Sequence, residues 1–203
     1  PMSFRCLQAR TGTLVSGSVA LQFFDRTRYE TNLDVFVYPY HRREVGEWLL
    51  SQGFRFVSAV GQDLYFNVAV LPYRAPRSSL HSGICAIYTF RRLLRGAQVN
   101  VQVIVARLAP IEAVLRSHST CVMNVMSYEF AYCLFPRATL EERCTLLNRS
   151  SHDGERRIEG MQKYRGRGFR VIESLGWDEF LADSPFSFAL RWVGDSHSWT
   201  IPL

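Results

Sequence analysis

Two short stretches decide the fold prediction: Val15-Ser16-Gly17-Ser18 and Asn32-Leu33-Asp34-Val35-Phe36. The small residues of the first stretch predict a turn from a short strand into a helix. The second stretch alternates polar and apolar side chains and then becomes apolar, which is typical of a central β-strand. Such a turn presents backbone N–H groups close to the carboxylate of Asp34. This combination suits a nucleoside triphosphate and its metal ion.

The composition predicts one globular domain over residues 1–203. The chain has 203 residues, of which 47% are apolar, and this is enough for one sizeable core. No apolar run reaches the roughly 18 residues that span a bilayer, and the N-terminus lacks a secretory pattern. We therefore expect no membrane partner. The five scattered cysteines indicate reduced, mostly buried thiols in an intracellular protein, either cytoplasmic or nuclear.

The chain is basic, and arginine carries almost all of the positive charge. The formal net charge is +6, and Lys163 is the only lysine. Arginine binds phosphates and carboxylates through a planar fork, so a nucleotide, a nucleic acid or an acidic partner is one interpretation. A solvated basic surface is the other. The pattern specifies no oligomeric state.

Residues 14–105 are predicted to form a strand-rich core. A helix is expected over Val19–Phe24, with Ser18 as its capping residue, and another over His41–Gln52. Strands are expected at 14–16, 32–38, 54–57, 65–70, 84–90 and 99–105. The arginine-rich stretch 91–96 is predicted to be a turn.

Residues 106–203 are predicted to be mainly helical and to pack on this core. Helices are expected from Pro110 to Arg116, from Thr139 onward and over Ile158–Arg165. The aromatic residues within 120–135 fall at spacings that favour a helical core. The fold prediction is therefore an α/β or α+β fold in which a mixed sheet carries flanking helices and a helical C-terminal part.

The pattern resembles the nucleotidyltransferase fold of the DNA polymerase β superfamily. In that family a Gly-Gly or Gly-Ser turn is followed, about nine to thirteen residues later, by a strand. This strand carries acidic residues at two alternate positions. Here Gly17-Ser18 provides the turn, and Asn32-Leu33-Asp34-Val35 occupies the strand. The broad resemblance covers residues 14–105. A narrower similarity, to nucleotidyltransferase-like proteins of fungi, extends to 119–124 and 192–196.

The resemblance implies particular roles for the polar residues. Gly17 and Ser18 would hold the triphosphate of an NTP. Asp34 would be the catalytic metal ligand for Mg²⁺ or Mn²⁺, because hard cations bind carboxylates. The third acid of active members would stand on the strand 99–105, where Gln102 or Asn100 faces the site.

This sequence departs from the family at two of the three acidic positions. Asn32 stands at the first, and Gln102 stands at the third. An amide oxygen can ligate a cation but adds no charge, so the set Asp34, Asn32 and Gln102 predicts a weak metal site. Glu30 lies two residues before Asn32 and would share its face if the strand began early.

Three functional hypotheses remain open. The first is a degenerate nucleotidyltransferase that binds a nucleotide or a partner with weak or no NMP transfer. The second is an active, metal-dependent nucleotidyltransferase acting on a protein, an RNA or a small molecule, in which Glu30 or Asn32 assists Asp34. The third is an arginine-rich nucleic-acid or protein interaction module. The structural alternative to all three makes Gly17-Ser18 an ordinary strand-to-helix turn.

The pair His118 and Cys121 has a spacing compatible with metal binding, but a matching second pair is missing. A buried thiol is the favoured interpretation of Cys121.

Overall fold

The computed structural model describes residues 3–71, 83–148, 154–176, 184–186 and 190–203. The helices are α1 (Phe4–Thr11), α2 (Gly17–Asp25), α3 (Arg42–Ser51), α4 (Phe66–Ala69), α5 (Pro110–Leu115) and α6 (Gly154–Gly166). The strands are β1 (Leu14–Ser16), β2 (Leu33–Val37), β3 (Arg55–Val57), β4 (Ile84–Leu94), β5 (Ala97–Ala106), β6 (Asn124–Met126), β7 (Phe130–Cys133), β8 (Cys144–Leu146), β9 (Arg170–Ile172) and β10 (Trp199–Pro202).

A large mixed sheet forms the centre of the molecule. Its eight strands lie in the order β10-β7-β6-β1-β2-β5-β4-β3. Strands β2 and β5 are parallel, whereas β1 pairs antiparallel with β2 and with β6. Strands β8 and β9 form a separate parallel pair. The predicted mixed α/β sheet with flanking helices is confirmed.

The two parallel strands, β2 and β5, are buried on both faces of the sheet. On one face, valines at alternate positions of these strands pack with Val45 and Leu49 of α3. On the opposite face, Phe36 and Ile104 pack with Ala113 of α5. Each fully buried apolar side chain of this kind contributes about 1.5–3 kcal/mol through the hydrophobic effect. The core therefore fixes β2 and β5 and, with them, the register of their polar residues Asp34 and Gln102.

The β4–β5 hairpin is longer than the sequence predicted. The expected turn over 91–96 is wrong, because Arg91 to Leu94 continue β4 and only Arg95 and Gly96 form the turn. Both turn residues have positive φ values, 48° and 79°. Two such residues in succession match the right-handed twist of the flanking strands. The stretch 65–70 also differs from its prediction, since it contains the short helix α4.

The C-terminal part is mixed in structure, and the prediction that 106–203 is mainly helical is wrong for the described residues. Strands β6, β7 and β10 belong to the same large sheet as β1 and β2. The aromatic residues Phe130 and Tyr132 lie on β7, so their spacing reflects strand alternation. Ser127 closes the β6–β7 turn, because its hydroxyl accepts hydrogen bonds from the N–H groups of Glu129 and Phe130.

Helix prediction in this part succeeded at two places and failed at a third. The helices α5 and α6 lie where they were expected. At Thr139 the structure has a π-helical turn over Arg137–Glu141, and Thr139 is buried inside that turn. The expected capped helix is therefore absent at this place.

Candidate functional site

Three neighbouring strands bring the predicted polar residues into one row. Ser16 of β1 pairs with Asp34 of β2, and Asp34 pairs with Gln102 of β5. Paired residues of adjacent strands direct their side chains to the same face of a sheet. Thr89 of β4 continues the row, because it pairs with Gln102. The expectation that Gln102 lies beside Asp34 is therefore confirmed by the strand register.

Asn100 shares the face of Gln102, since it lies two residues earlier on β5. Arg91 of β4 donates a hydrogen bond to its Oδ1 at 3.1 Å. Asn100 is therefore hydrogen-bonded toward β4, on the side away from Asp34. Gln102 is thus the amide nearest to Asp34 on β5.

The backbone of Gly17 lies directly against the carboxylate of Asp34. Gly17 has a φ of +70°, which is a left-handed conformation. A Cβ atom placed on Gly17 would stand 2.5 Å from Oδ2 of Asp34, far inside a van der Waals contact. Both the conformation and the close approach require glycine at this position. The turn and the acid are therefore parts of one local arrangement.

Gly17→Ala should destabilise the protein through left-handed strain and through the clash with Asp34, by about 2–4 kcal/mol in total. Gly61→Ala is a matched control, because Gly61 has a φ of +83° but no atom within 4 Å of a new Cβ. It should show the strain alone, about 1 kcal/mol. Urea denaturation measures both values. If the two substitutions lower the free energy of unfolding equally, the Asp34 carboxylate does not crowd a side chain at position 17.

Asn32 and Glu30 lie outside the ordered strand. Strand β2 begins at Leu33, so Asn32 is the residue immediately before it and is half-buried. Glu30 is exposed and is not part of a strand. The condition for Glu30 to share the face of Asp34, an early start of β2, is therefore not met.

The site offers a single carboxylate within the described ranges. No group of three or more His, Cys, Asp or Glu side chains in these ranges could hold a metal ion. In the same part of the chain, no hydrogen-bond donor contacts the side chain of Asp34. Polar side chains that line a binding site commonly lack internal partners, because the ligand provides them.

Ser18 does not cap α2, in contrast to the prediction. The helix already begins at Gly17, and its N-cap is Ser16, whose side chain makes no capping hydrogen bond. Instead, Ser16 Oγ donates to the carbonyl oxygen of Asn124 at 2.6 Å. Ser18 is buried inside the first turn.

The hydroxyl of Ser18 is held by residues at the end of α6. Its Oγ lies 3.1 Å from the Tyr164 hydroxyl and accepts a hydrogen bond from Arg167 Nη1 at 3.0 Å. The Arg167 guanidinium also lies over the ring of Tyr29, 4.0 Å from its centroid. These contacts place a cationic side chain at the start of α2, where the helix dipole favours anions.

The contribution of α6 was missed by sequence reasoning. The sequence predicts only a helix over Ile158–Arg165, and a solvated surface is one interpretation of the basic charge. Tyr164 is in fact 2% exposed and packs with Leu21 and Phe169. One sequence feature could have indicated this contribution: the only lysine of the chain, Lys163, is adjacent to Tyr164.

The electrostatics of the site are dominated by burial. Burial raises the pKa of Asp34 to about 6, and the nearby Lys163 ammonium partly opposes the shift. The pKa of Lys163 is lowered, mainly by partial burial and then by Arg167, while Asp34 raises it. Asp34 is therefore a carboxylate whose charged form is stabilised only weakly by its surroundings.

His118 lies against the same face of α6 as Ser18, because its ring centroid is 5.7 Å from that of Tyr164. A Cβ atom on Gly160 would stand 2.5 Å from its Cδ2, so glycine permits the helix to approach the ring. Burial, assisted by Lys163, lowers the pKa of His118 to about 4, and the ring is neutral at pH 7. Its Nε2 is buried without a partner among the described residues. Cys121 is fully buried, as favoured from the sequence.

Comparison with known proteins identifies no family. No protein-family model matches the chain, and no curated protein sequence matches it significantly. Separately, no helix within the described ranges is both long enough and apolar enough to cross a membrane.

Proposed function

We propose that this chain is a nucleotidyltransferase-like protein with a degenerate metal site, which binds a nucleotide and has weak or no NMP transfer activity. The observation that carries the proposal is the row Ser16, Asp34 and Gln102 across three strands, with Gly17 against the acid. The turn at Gly17, the Asp34 carboxylate and the Gln102 amide therefore lie together. In the family pattern, the position of Gln102 is an acid.

Weak transfer follows from the charge of this row. Nucleotidyl transfer uses two divalent ions, one at the attacking hydroxyl and one at the triphosphate. Carboxylates hold such ions together with the phosphates of the substrate, and ion affinity rises with the number of charged ligands. Asp34 with the neutral amides of Asn32 and Gln102 supplies one charge where the fold would place three.

Nucleotide binding is supported by the groups that surround the row. The first turn of α2 presents N–H groups that its N-cap side chain leaves uncapped. Arg167 adds positive charge there, because it donates a hydrogen bond to Ser18 in the first turn of α2. A phosphate chain is the anion that suits both features.

Calorimetric titration with ATP, GTP, CTP and UTP tests the proposal, together with a transfer assay using labelled NTPs and Mg²⁺. We expect micromolar to millimolar binding of at least one nucleotide and no robust transfer. Arg167→Gln should weaken binding by about tenfold, which corresponds to about 1.4 kcal/mol. The matched control is Arg165→Gln on the exposed face of α6. Robust Mg²⁺-dependent NMP transfer that is abolished by Asp34→Ala would contradict the proposal.

A further inference from the structure

We propose that the face of the sheet beside Asp34 binds a single-stranded polynucleotide through its phosphodiester backbone. The binding groups are Arg55 of β3, Arg91 of β4 and Asn100 of β5, which we call the arginine row. This surface is separate from the nucleotide site and does not require that the nucleotide site be occupied. The inference therefore goes beyond the proposed function, since it assigns a second and longer ligand.

Strand pairing places the arginine row on the same face of the sheet as Asp34. Arg55 pairs with Arg91, and Arg91 pairs with Asn100. Asn100 lies two residues before Gln102, which pairs with Asp34. Paired residues of neighbouring strands and alternate residues of one strand share a face. At about 4.8 Å per strand and about 3.3 Å per residue, the backbone of Arg91 stands roughly 12 Å from that of Asp34.

This part of the face is open to solvent. Near the carboxyl ends of β2 and β5, the same face is covered by α5, where Phe36 and Ile104 pack with Ala113. The arginine row lies toward the opposite ends of these strands, and both Arg55 and Arg91 are exposed. An extended ligand can therefore reach the row from solvent.

The two arginines form a cross-strand pair of like charges. Directly paired residues of antiparallel strands have Cβ atoms about 5 Å apart, and like charges at such positions destabilise a sheet. Within the described ranges neither Arg55 nor Arg91 forms an ion pair with an acidic side chain. Strands β4 and β5 contain no Asp or Glu. An anion that contacted both guanidinium groups would relieve this repulsion.

Hydrogen bonds orient the amide of Asn100 so that it also donates. Its Oδ1 accepts from Arg91 Nε at 3.1 Å and from Gln98 Nε2 at 3.3 Å. Two donors at one amide atom identify that atom as the oxygen. The Nδ2 group of Asn100 has no acceptor among the described residues and is free to donate to a ligand. The arginine row thus offers hydrogen-bond donors and positive charge together, which suits a chain of anionic acceptors.

A phosphodiester chain fits this surface better than an acidic protein does. Protein interfaces are anchored by aromatic side chains, and the arginine row and its neighbours Thr89 and Gln102 contain none. Guanidinium groups bind phosphate oxygens through two parallel hydrogen bonds. Such phosphate contacts supply nearly all of the affinity when no base is recognised. A sheet face accommodates an extended single strand.

Fluorescence anisotropy with labelled oligo(dT) and oligo(rU), each of about 20 nucleotides and without NTP or metal, tests the proposal. Both should bind, and the affinity should fall as salt is added. Arg55→Gln/Arg91→Gln should lose about tenfold in affinity at about 0.1 M salt. Its slope of log K against log salt should be smaller by about 1.4, since each phosphate contact of a single strand contributes about 0.7.

The matched control is Arg10→Gln/Arg43→Gln, which removes the same charge elsewhere. These exposed arginines pair with Glu44 and Glu47 of α3, and α3 packs on the opposite face of the sheet. Because charges at that distance are screened by salt, the affinity should stay within about threefold of the wild type. Equal losses in the two double variants would overturn the proposal.

A charge-preserving variant, Arg55→Lys/Arg91→Lys, separates loss of charge from a folding defect. It should keep the salt slope of the wild type, because each lysine still releases a counterion on contact with a phosphate. A slope as small as that of the Gln double variant would overturn the proposal. So would wild-type protein that binds neither oligonucleotide, or that binds a labelled polyglutamate peptide more tightly than both.

Titration with ATP separates this proposal from the proposed function. Arg55→Gln/Arg91→Gln should bind ATP as the wild type does, because the arginine row is a separate surface. Loss of ATP binding in this variant would assign the row to the nucleotide site and overturn the second ligand. If the NTPs fail to bind while the oligonucleotides bind through the row, the proposed function is overturned and this inference stands. The reverse result overturns this inference alone.

Discussion

The double substitution Asn32→Asp/Gln102→Asp is expected to create a divalent metal site on this fold. Gln102 pairs with Asp34 in the parallel register, and Asn32 precedes Asp34 by two residues. Aspartate at both positions would complete a set of three carboxylates on one face of the sheet. Because ion affinity increases with the number of charged ligands, the Mn²⁺ affinity should rise by at least about 100-fold, or about 2.7 kcal/mol.

The same variant should be less stable than the wild type without metal. Three carboxylates at close range repel one another, and Coulomb repulsion between two such charges is on the order of several kcal/mol at a low effective dielectric constant. Mn²⁺ should reverse this loss, since a ligand that binds only the native state stabilises it. Thermal melting with and without Mn²⁺ measures both effects.

The matched control is Ala97→Asp/Gln98→Asp, which adds the same charge at the turn end of β5. Ala97 and Gln98 are exposed beside the β4–β5 hairpin turn, five and four residues before Gln102. This control should show little Mn²⁺ binding. Should the two double variants bind Mn²⁺ equally, Asn32 and Gln102 would not face a common site with Asp34, and the degenerate-cage interpretation would fail.

Asp34→Asn is expected to stabilise the protein at neutral and alkaline pH. Burial raises the pKa of Asp34 from 3.8 to about 6 in the native state. The native state therefore holds the Asp34 proton more tightly than the unfolded chain does. Ionisation of Asp34 then lowers stability progressively as the pH rises from about 4 to about 6. The full cost above pH 6 is about 3 kcal/mol, because one unit of pKa corresponds to about 1.36 kcal/mol.

Asparagine removes this cost, because it resembles the protonated acid in shape and stays neutral. The melting temperature of Asp34→Asn at pH 8 should exceed that of the wild type by roughly 6–12 °C, at about 2–4 °C per kcal/mol for a chain of this size. At pH 4 the two proteins should melt within about 2 °C of each other. Glu129→Gln removes an exposed charge and serves as the control, with an expected change within about 0.5 kcal/mol at either pH.

A difference between Asp34→Asn and wild type that does not change with pH would contradict this prediction. The wild type must be measured beside the variant, because His118 makes the stability rise with pH, whereas Asp34 makes it fall. Its pKa is lowered to about 4, so protonation of the unfolded chain destabilises the protein as the pH falls below about 6.5. Since His118 is present in both proteins, its contribution cancels in the difference.

A carboxylate that costs stability in its ionised form is a candidate for a functional position. Sites that bind or react commonly keep charged groups that a stability-optimised interior would replace. Asp34 fits this description, because no described residue donates a hydrogen bond to it and its pKa is raised. This is the physical argument against an ordinary strand-to-helix turn at Gly17.

The strand-turn-helix unit could be predicted from sequence because its signals are local. Gly17, the apolar run of β2 and the alternation in β5 each act within a few residues. That Gln102 or Asn100 would lie near Asp34 was implied only by the resemblance to the nucleotidyltransferase fold, and the parallel register of β2 and β5 pairs Gln102 with Asp34.

The α6 side of the site could not be predicted in this way. The contacts of Ser18 with Tyr164 and Arg167 span about 146 and 149 positions of the chain, and no local pattern encodes them. The β6–β7 hairpin was missed for a related reason. Its aromatic residues satisfy a helical spacing almost as well as strand alternation, and the hydrogen bonds that decide the matter come from Ser127 and from pairing with β1 and β10.

The most direct test of the central claim is a crystal structure of the protein soaked with an NTP and Mn²⁺, in which anomalous scattering locates the manganese. The account predicts a triphosphate beside Gly17 and Ser18, with Arg167 on its phosphates and no pair of Mn²⁺ ions at Asp34. Two Mn²⁺ ions held by Asp34 and a second carboxylate would contradict it, as would a nucleotide bound elsewhere on the molecule.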